Sequence, residues 1–178
     1  TNGFVTECFL DELAAAGKID PLELRLRLLA EPRKVRVPPD NESTLDTSRL
    51  RACVELAALK AGWGKPLPKG RGRGIACHFS FDTYVAEVAE VTVSKGVVKV
   101  DRVVAAVDCG RVINPNGARA QIEGGINFGL TAALKSAITI DKGLCTGCTE
   151  CARDCPYQAI TMAPRHDGKP HKYVAIED

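Results

Sequence analysis

YVAEVAEVTVSKGVVKVDRVVAAV, residues 84–107, is the stretch that decides the fold. Tyr84 to Ser94 is rich in valine and alternates in residue type, as a half-buried strand does. Lys95-Gly96 supplies a two-residue turn, and Val97 to Val107 answers as the returning strand. Upstream, IACHFSF (75–81) reads as a further strand, and Asp108, Cys109 and Gly110 end the β region. The predicted centre of the chain is therefore a Val-rich antiparallel hairpin or sheet.

Helices are expected before it. Residues 6–16 carry an apolar face of Cys8, Phe9, Leu10, Leu13 and Ala16, closed by Gly17. Asp20 is an N-cap with Pro21 at the first helical position and Glu23 in the first turn, opening a second helix over 21–29. Arg25 and Arg27 read as its solvated face. Pro32 and Pro38-Pro39 make 31–45 a linker. Asp46 or Thr47 opens a third helix through Leu50, Cys53, Val54, Leu56 and Ala57, stopped by Gly62, with Trp63 packed on that end. KPLPKGRGRG (65–74) reads as a loop. Its glycines and basic residues also suit an anion, but phosphate-cradling loops run into a helix and this one runs into a strand.

After the β region Asn114-Pro115-Asn116-Gly117 breaks the chain, and a helical stretch follows from about Ala118 to Leu134. Gly124, Gly125 and Gly129 inside it each cost about 1 kcal/mol relative to alanine. They imply close approach of another backbone or of a ligand. Then comes C-x-x-C-x-x-C-x-x-x-C-P: Cys145, Cys148, Cys151, Cys155 and Pro156. Three thiolates at this spacing can wrap one iron–sulfur cube, with a fourth before the proline. Zinc and disulfides are the competing readings; zinc favours separated pairs or histidine partners, and adjacent loop cysteines seldom pair in a reducing compartment. Ala159 to Met162 and Tyr173 to Ile176 are expected to pair as a hairpin around Asp167-Gly168. The scattered Cys8, Cys53, Cys77 and Cys109 read as small buried side chains. His78 and Cys77 point to opposite faces of their strand and do not share a metal, and His166 and His171 read as solvated.

The 178 residues suffice for one ordinary domain, or a modest domain plus a small appendage, and 45% apolar composition implies a packed core. A net charge of +2 with interspersed signs, and few aromatics, argue against nucleic acid. No apolar run is long enough to span a membrane, so no membrane insertion is expected. The opening TNGFVTECFLDELAAA lacks the pattern of a secretory signal, and the only methionine is Met162, so a fragment in a cytoplasmic, reducing compartment is expected.

Residues 72–134, GRGIACHFSFDTYVAEVAEVTVSKGVVKVDRVVAAVDCGRVINPNGARAQIEGGINFGLTAAL, resemble the molybdopterin-binding subunit of the aldehyde oxidase/xanthine dehydrogenase family. Within that family they are closest to the branch that holds the isoquinoline 1-oxidoreductase beta chains. FVTECFLDELAAAGKIDPLELRLRLL (4–29) and ELAALKAGWGKPLPKGRGRG (55–74) resemble the same branch, so the likeness covers residues 1–140 in order. It implies that Gln121-Ile122-Glu123-Gly124-Gly125 matches the Q-x-E-G segment lying against the molybdopterin cofactor. Gln121 would be the nearest side chain, and Gly124 and Gly125 would admit the ligand to the backbone. From the residues alone, Gln121 and Glu123 solvating a helix whose glycines permit a helix crossing is an equal reading. The family's glutamate-bearing G-x-G-E motif does not occur, so no catalytic residue is assigned and molybdopterin is expected only in a complete family member.

Residues 141–178 resemble a bacterial [4Fe–4S] ferredoxin-type domain through LCTGCTECARDCPYQAITM (144–162). The resemblance implies cluster ligation by Cys145, Cys148, Cys151 and Cys155. In two-cluster ferredoxins the fourth cysteine reaches to the other cluster, so this run is half of a pattern. Residues 138–143, ITIDKG, suit either family and mark the seam. The expected architecture is α+β: a truncated molybdopterin-binding fragment of helices and antiparallel strands over 1–140, then a half-ferredoxin lobe over 141–178. The expected function is an iron–sulfur electron-transfer module fused to part of a molybdenum hydroxylase subunit. It would work with a redox partner protein or the missing subunit segments. The alternative is a non-catalytic fragment or chimeric reading frame with no complete cofactor site.

Overall fold

Thr47, Leu50, Cys53, Val54, Ala57, Ala58 and Ala61 recur at the spacing of one helical face, and all are buried in α3 (Thr47–Ala61). In this computed structural model, which describes residues 2–36, 43–134, 160–164 and 172–176, that face lies on a three-stranded antiparallel sheet. The sheet runs in the order β3 (Arg71–Ser80), β4 (Thr83–Ser94), β5 (Val97–Asp108). Ile75, Tyr84, Ala86, Val88 and Ala106 answer the helix from the sheet. Each Val-sized side chain so buried contributes roughly 1.5–3 kcal/mol.

The local rules that frame α3 are obeyed. Asp46 caps it, its carboxylate accepting from the Ser48 N–H at 2.9 Å, and Gly62 ends it at φ +70°. Lys95 and Gly96 both take positive φ in the β4–β5 turn, as a two-residue hairpin requires. Phe81 and Asp82 do the same between β3 and β4. Val91 pairs with Val100 while Glu90 pairs with Arg102, so Asp101 is the extra residue of a bulge.

Two further helices precede the sheet: α1 (Asn2–Gly17) and α2 (Pro21–Leu28). Asp20 caps α2 by accepting from the Leu22 and Glu23 N–H groups, and its carboxylate also accepts from the Trp63 indole at 3.1 Å. Arg25 is not on a solvated face. It is 1% exposed, with Nε 2.9 Å from Glu7 Oε2 and Nη1 2.8 Å from Asp11 Oδ1. Burial pulls the Arg25 pKa down, and the two carboxylates more than offset that, so it stands raised. Glu7 Oε2 also accepts the Cys77 N–H at 2.9 Å. One carboxylate thus ties α1 to α2 and occupies an edge amide of β3. Arg27 is exposed as expected and pairs with Glu23 one turn back.

Three other expectations are corrected. Residues 31–45 include a short antiparallel pair, β1 (Lys34–Arg36) with β2 (Thr44–Asp46), rather than plain linker. The strand β3 begins at Arg71, inside the stretch read as a loop, because Arg73 finds Glu90 across the ladder with Nη2–Oε1 at 2.8 Å. That pairing spends Arg73 on the protein rather than on an anion. Asn114-Pro115-Asn116-Gly117 does not precede the last long helix but opens it: α4 runs Pro115–Leu134.

Two compact units divide the chain, Thr1–Leu130 and Thr131–Asp178. In the second, β6 (Ile160–Pro164) and β7 (Lys172–Ile176) pair antiparallel with Ile160 opposite Ile176, the hairpin expected there. Helices and antiparallel sheets make the arrangement α+β.

Candidate functional site

The chain leaves the sheet through a polar clamp. Asp108, the last residue of β5, takes Arg49 of α3 in a two-pronged pair, Nε–Oδ2 at 2.8 Å and Nη2–Oδ1 at 2.7 Å. Its Oδ1 also accepts the Gly110 N–H at 3.1 Å. The Arg49 guanidinium lies over the Tyr84 ring, 4.4 Å from its centroid. Tyr84 in turn donates its hydroxyl to the Thr44 carbonyl and accepts from the Asp46 N–H. Arg49 and the Gly110 N–H hold the Asp108 carboxyl below the usual carboxylate range, and Asp108 raises Arg49.

Asn114 then caps α4: its side-chain oxygen accepts from the Gly117 N–H and its carbonyl from the Ala118 N–H, both at 3.0 Å. Pro115 sits at the first helical position, where no N–H is needed. Along α4 only Gly117, Ala118, Ile122, Ile126 and Leu130 are half-buried, and no residue is fully buried. Gln121, Gly124, Gly125 and Phe128 fall at i, i+3, i+4 and i+7, one exposed face. A Cβ built on Gly124, Gly125 or Gly129 meets nothing within 4 Å, and Phe128 is 80% exposed. No contact among the described residues accounts for these glycines.

Gln121 also lines a cleft of about 470 Å³ between the first turns of α4 and the end of the sheet. Thr83, Cys109 and Arg119 supply its other polar groups, and Val107, Val112 and Ile122 its apolar wall. Phe128, Arg119 and the Arg49–Asp108 clamp escaped the sequence reading. The i+7 interval from Gln121 points to Phe128, but nothing local pairs Arg49 with a residue 59 positions away.

Gln121, Gly124 and Gly125 are therefore brought together on one accessible surface. Cys145, Cys148, Cys151 and Cys155 lie outside the described residues. Among the described residues no three His, Cys, Asp or Glu side chains are placed to hold a metal ion. Cys53 is buried, Cys8 and Cys77 half-buried, and Cys109 is exposed, contrary to the expectation that all four are buried. Burial, with Glu7 adding to it, pushes the Cys77 thiol up to about 12.

Residues 14–150 match the molybdopterin cofactor-binding domain, and the chain belongs to that family. The match passes the first two cysteines of the 145–155 run. Three curated relatives bear the family out. The chain is 37% identical over 147 residues to "Membrane-bound aldehyde dehydrogenase [pyrroloquinoline-quinone]" of Gluconacetobacter polyoxogenes, covering 78% of this chain and 19% of that protein. It is 31% identical over 160 residues to a nicotinate dehydrogenase subunit of Pseudomonas putida, covering 79% and 12%. It is 33% identical over 148 residues to the beta subunit of isoquinoline 1-oxidoreductase of Brevundimonas diminuta, covering 79% and 17%. The chain thus spans less than a fifth of the length of each. No described helix is long and apolar enough to cross a membrane.

The α4 face fits one wall of a pterin site. A pterin is flat and edged with donors and acceptors. A primary amide offers both kinds of partner, and bare glycine backbone lets a ring approach closely.

Proposed function

We propose that this chain forms the cofactor-facing wall of a molybdenum hydroxylase-type oxidoreductase subunit and carries an iron–sulfur electron-transfer module after it. The observation that supports the first half is the exposed α4 face, where Gln121 stands beside two glycines whose missing Cβ atoms leave open space. With a pterin bound, the Gln121 amide would orient its edge, Gly124 and Gly125 would admit it to the helix backbone, and Phe128 and the apolar cleft wall would exclude water beside it. The molybdenum centre supplies the redox chemistry when bound. No catalytic base is assigned to these residues.

The second half rests on Cys145, Cys148, Cys151 and Cys155, whose spacing suits a [4Fe–4S] cluster that carries one electron at a time to a redox partner protein. By the two-cluster spacing, three of these cysteines would hold one cluster and Cys155 would serve a further ligand or cluster. The remaining walls of the molybdopterin site come from polypeptide beyond these residues. A cytoplasmic, reducing setting suits the free thiols.

Two measurements test the pair. Anaerobic reconstitution should give a broad absorbance band at roughly 400 nm, with iron and sulfide in equal amounts, lost in Cys148→Ser. A preparation that takes up zinc and no sulfide sinks the cluster. Adding molybdopterin to the chain should slow amide exchange over residues 117–129. Unchanged exchange there removes the cofactor wall.

A further inference from the structure

We infer that Arg49 is a positioning residue for α4, fixing through Asp108 the point at which the chain leaves the sheet. It thereby sets the angle at which Gln121, Gly124 and Gly125 are presented. The use of that angle rests on reading the α4 face as the cofactor wall; the clamp does not.

A helix is normally oriented by its buried stripe, and α4 buries no residue completely. Its stripe of Ala118, Ile122, Ile126 and Leu130 is only half-buried, so its direction depends also on its tether, the six residues between Asp108 and the first residue of α4. Asp108 makes two kinds of bond at the root of that tether. It accepts Arg49's fork, and the same Oδ1 accepts the N–H of Gly110, whose φ of +74° turns the chain. The fork joins the turn to α3, the best-packed helix of the fold.

A partly exposed ion pair normally contributes little, because two long side chains must be ordered to make it. Here the geometry lowers that cost. The guanidinium is planar, engages both oxygens, and rests on Tyr84, which is itself 2% exposed and pinned through its hydroxyl to Thr44 and Asp46. A lysine would keep the charge and lose both the fork and the stack.

The test is peptide-resolved amide exchange on the full chain without added cofactor. Arg49→Ala should speed exchange over residues 109–122 by about five- to tenfold while α3 and β4 stay unchanged. Arg49→Lys should fall between the two. Asp108→Asn keeps an oxygen for the Gly110 N–H but loses the charged fork, so it should reproduce Arg49→Ala. Combining both changes should add nothing further, because they remove one interaction. Exchange that is unaltered over 109–122, or that rises equally through α3 and β4, overturns the assignment. If Arg49→Ala does not fold, Arg49→Lys and Asp108→Asn decide by the same criteria. Repeating the experiment with molybdopterin separates the two readings. A clamp effect with no protection of 117–129 in the wild-type chain leaves the clamp standing and the cofactor wall fallen. Protection that weakens several-fold in Arg49→Lys supports both.

Discussion

The helices α3 and α4 are built from similar amounts of apolar residue and end in opposite situations. In α3 seven positions are buried, and the solvent side carries Ser48, Glu55 and Lys60. In α4 none is fully buried, and Phe128 faces outward between glycines that touch nothing. A pattern that satisfies itself within the fold reports on stability. One left open at the cost of three helix-weakening glycines reports on something the helix must meet. The family match is to a cofactor-binding domain, and the proposed cofactor wall is this open face.

If this contrast is real, side chains of similar size should differ sharply in what their removal costs. Tyr84→Ala takes a ring from the core, the stacking platform from Arg49 and two hydrogen bonds from β2, and should cost about 3–5 kcal/mol. Phe128→Ala should stay within about 0.5 kcal/mol, as surface changes do. Urea unfolding followed by far-ultraviolet circular dichroism reads both. A Phe128→Ala cost approaching that of Tyr84→Ala would place α4 inside the cooperative core and end the comparison.

Arg25→Leu comes next. It removes the cation from a nearly buried group whose partners Glu7 and Asp11 remain, and should destabilise by about 3 kcal/mol. Cutting Glu7→Gln instead leaves an oxygen for the Cys77 N–H and should cost less. The same denaturant midpoints decide the order of the two.

These residues also show what was legible in advance. The helix α3 could be read because its signals are local: Asp46 at one end, Gly62 at the other, and apolar residues three and four apart between them. The β4–β5 hairpin was legible for the same reason. Arg25 was not, because a charged residue in a short helix looks solvated until Glu7, 18 positions earlier, is known to lie against it. The start of α4 was misplaced because Asn-Pro is both a turn signal and an N-cap followed by a good first helical residue. Gln121, Gly124 and Gly125 were picked out by resemblance and by the cost of glycine. Their common exposure, and the cleft that Gln121 lines, needed the fold.

A smaller effect of opposite sign sharpens the contrast. Gly124→Ala and Gly125→Ala put a methyl group into open space on a helix, and each should stabilise α4 by about 0.5–1 kcal/mol. Helical signal and thermal midpoint should both rise slightly. The same substitutions should weaken any protection of residues 117–129 by molybdopterin, since the added Cβ stands where the ring would approach. A gain in stability together with a loss of binding is the signature of glycines kept for a ligand. A loss of both would mean that the backbone there needs glycine for its own conformation.

The thiols divide along the same line. Cys77 and Cys53 belong to the packed part, and burial raises both; Cys109 lies on the exposed tether toward α4. Peptide-resolved alkylation near neutral pH should therefore label Cys109 well ahead of the other two, with no denaturant present. The sign of the pH effect follows. A cysteine in the unfolded chain titrates at about 8.5, whereas Cys77 in the fold holds its proton to about 12. Its contribution is fully present below the unfolded value and is lost as pH rises through that window, where the unfolded state sheds a proton that the folded state keeps. Asp108 behaves in reverse: its lowered value makes its contribution present above the ordinary carboxylate range and lost as pH falls through the folded value. Denaturant midpoints should thus sag between roughly pH 8.5 and pH 12, the window set by those two thiol values. Cys77→Ala should flatten that limb, and Asp108→Asn should flatten only the acid one. An alkaline limb untouched by Cys77→Ala would mean that the thiol meets water more freely than its place between Glu7 and the α3-covered sheet implies.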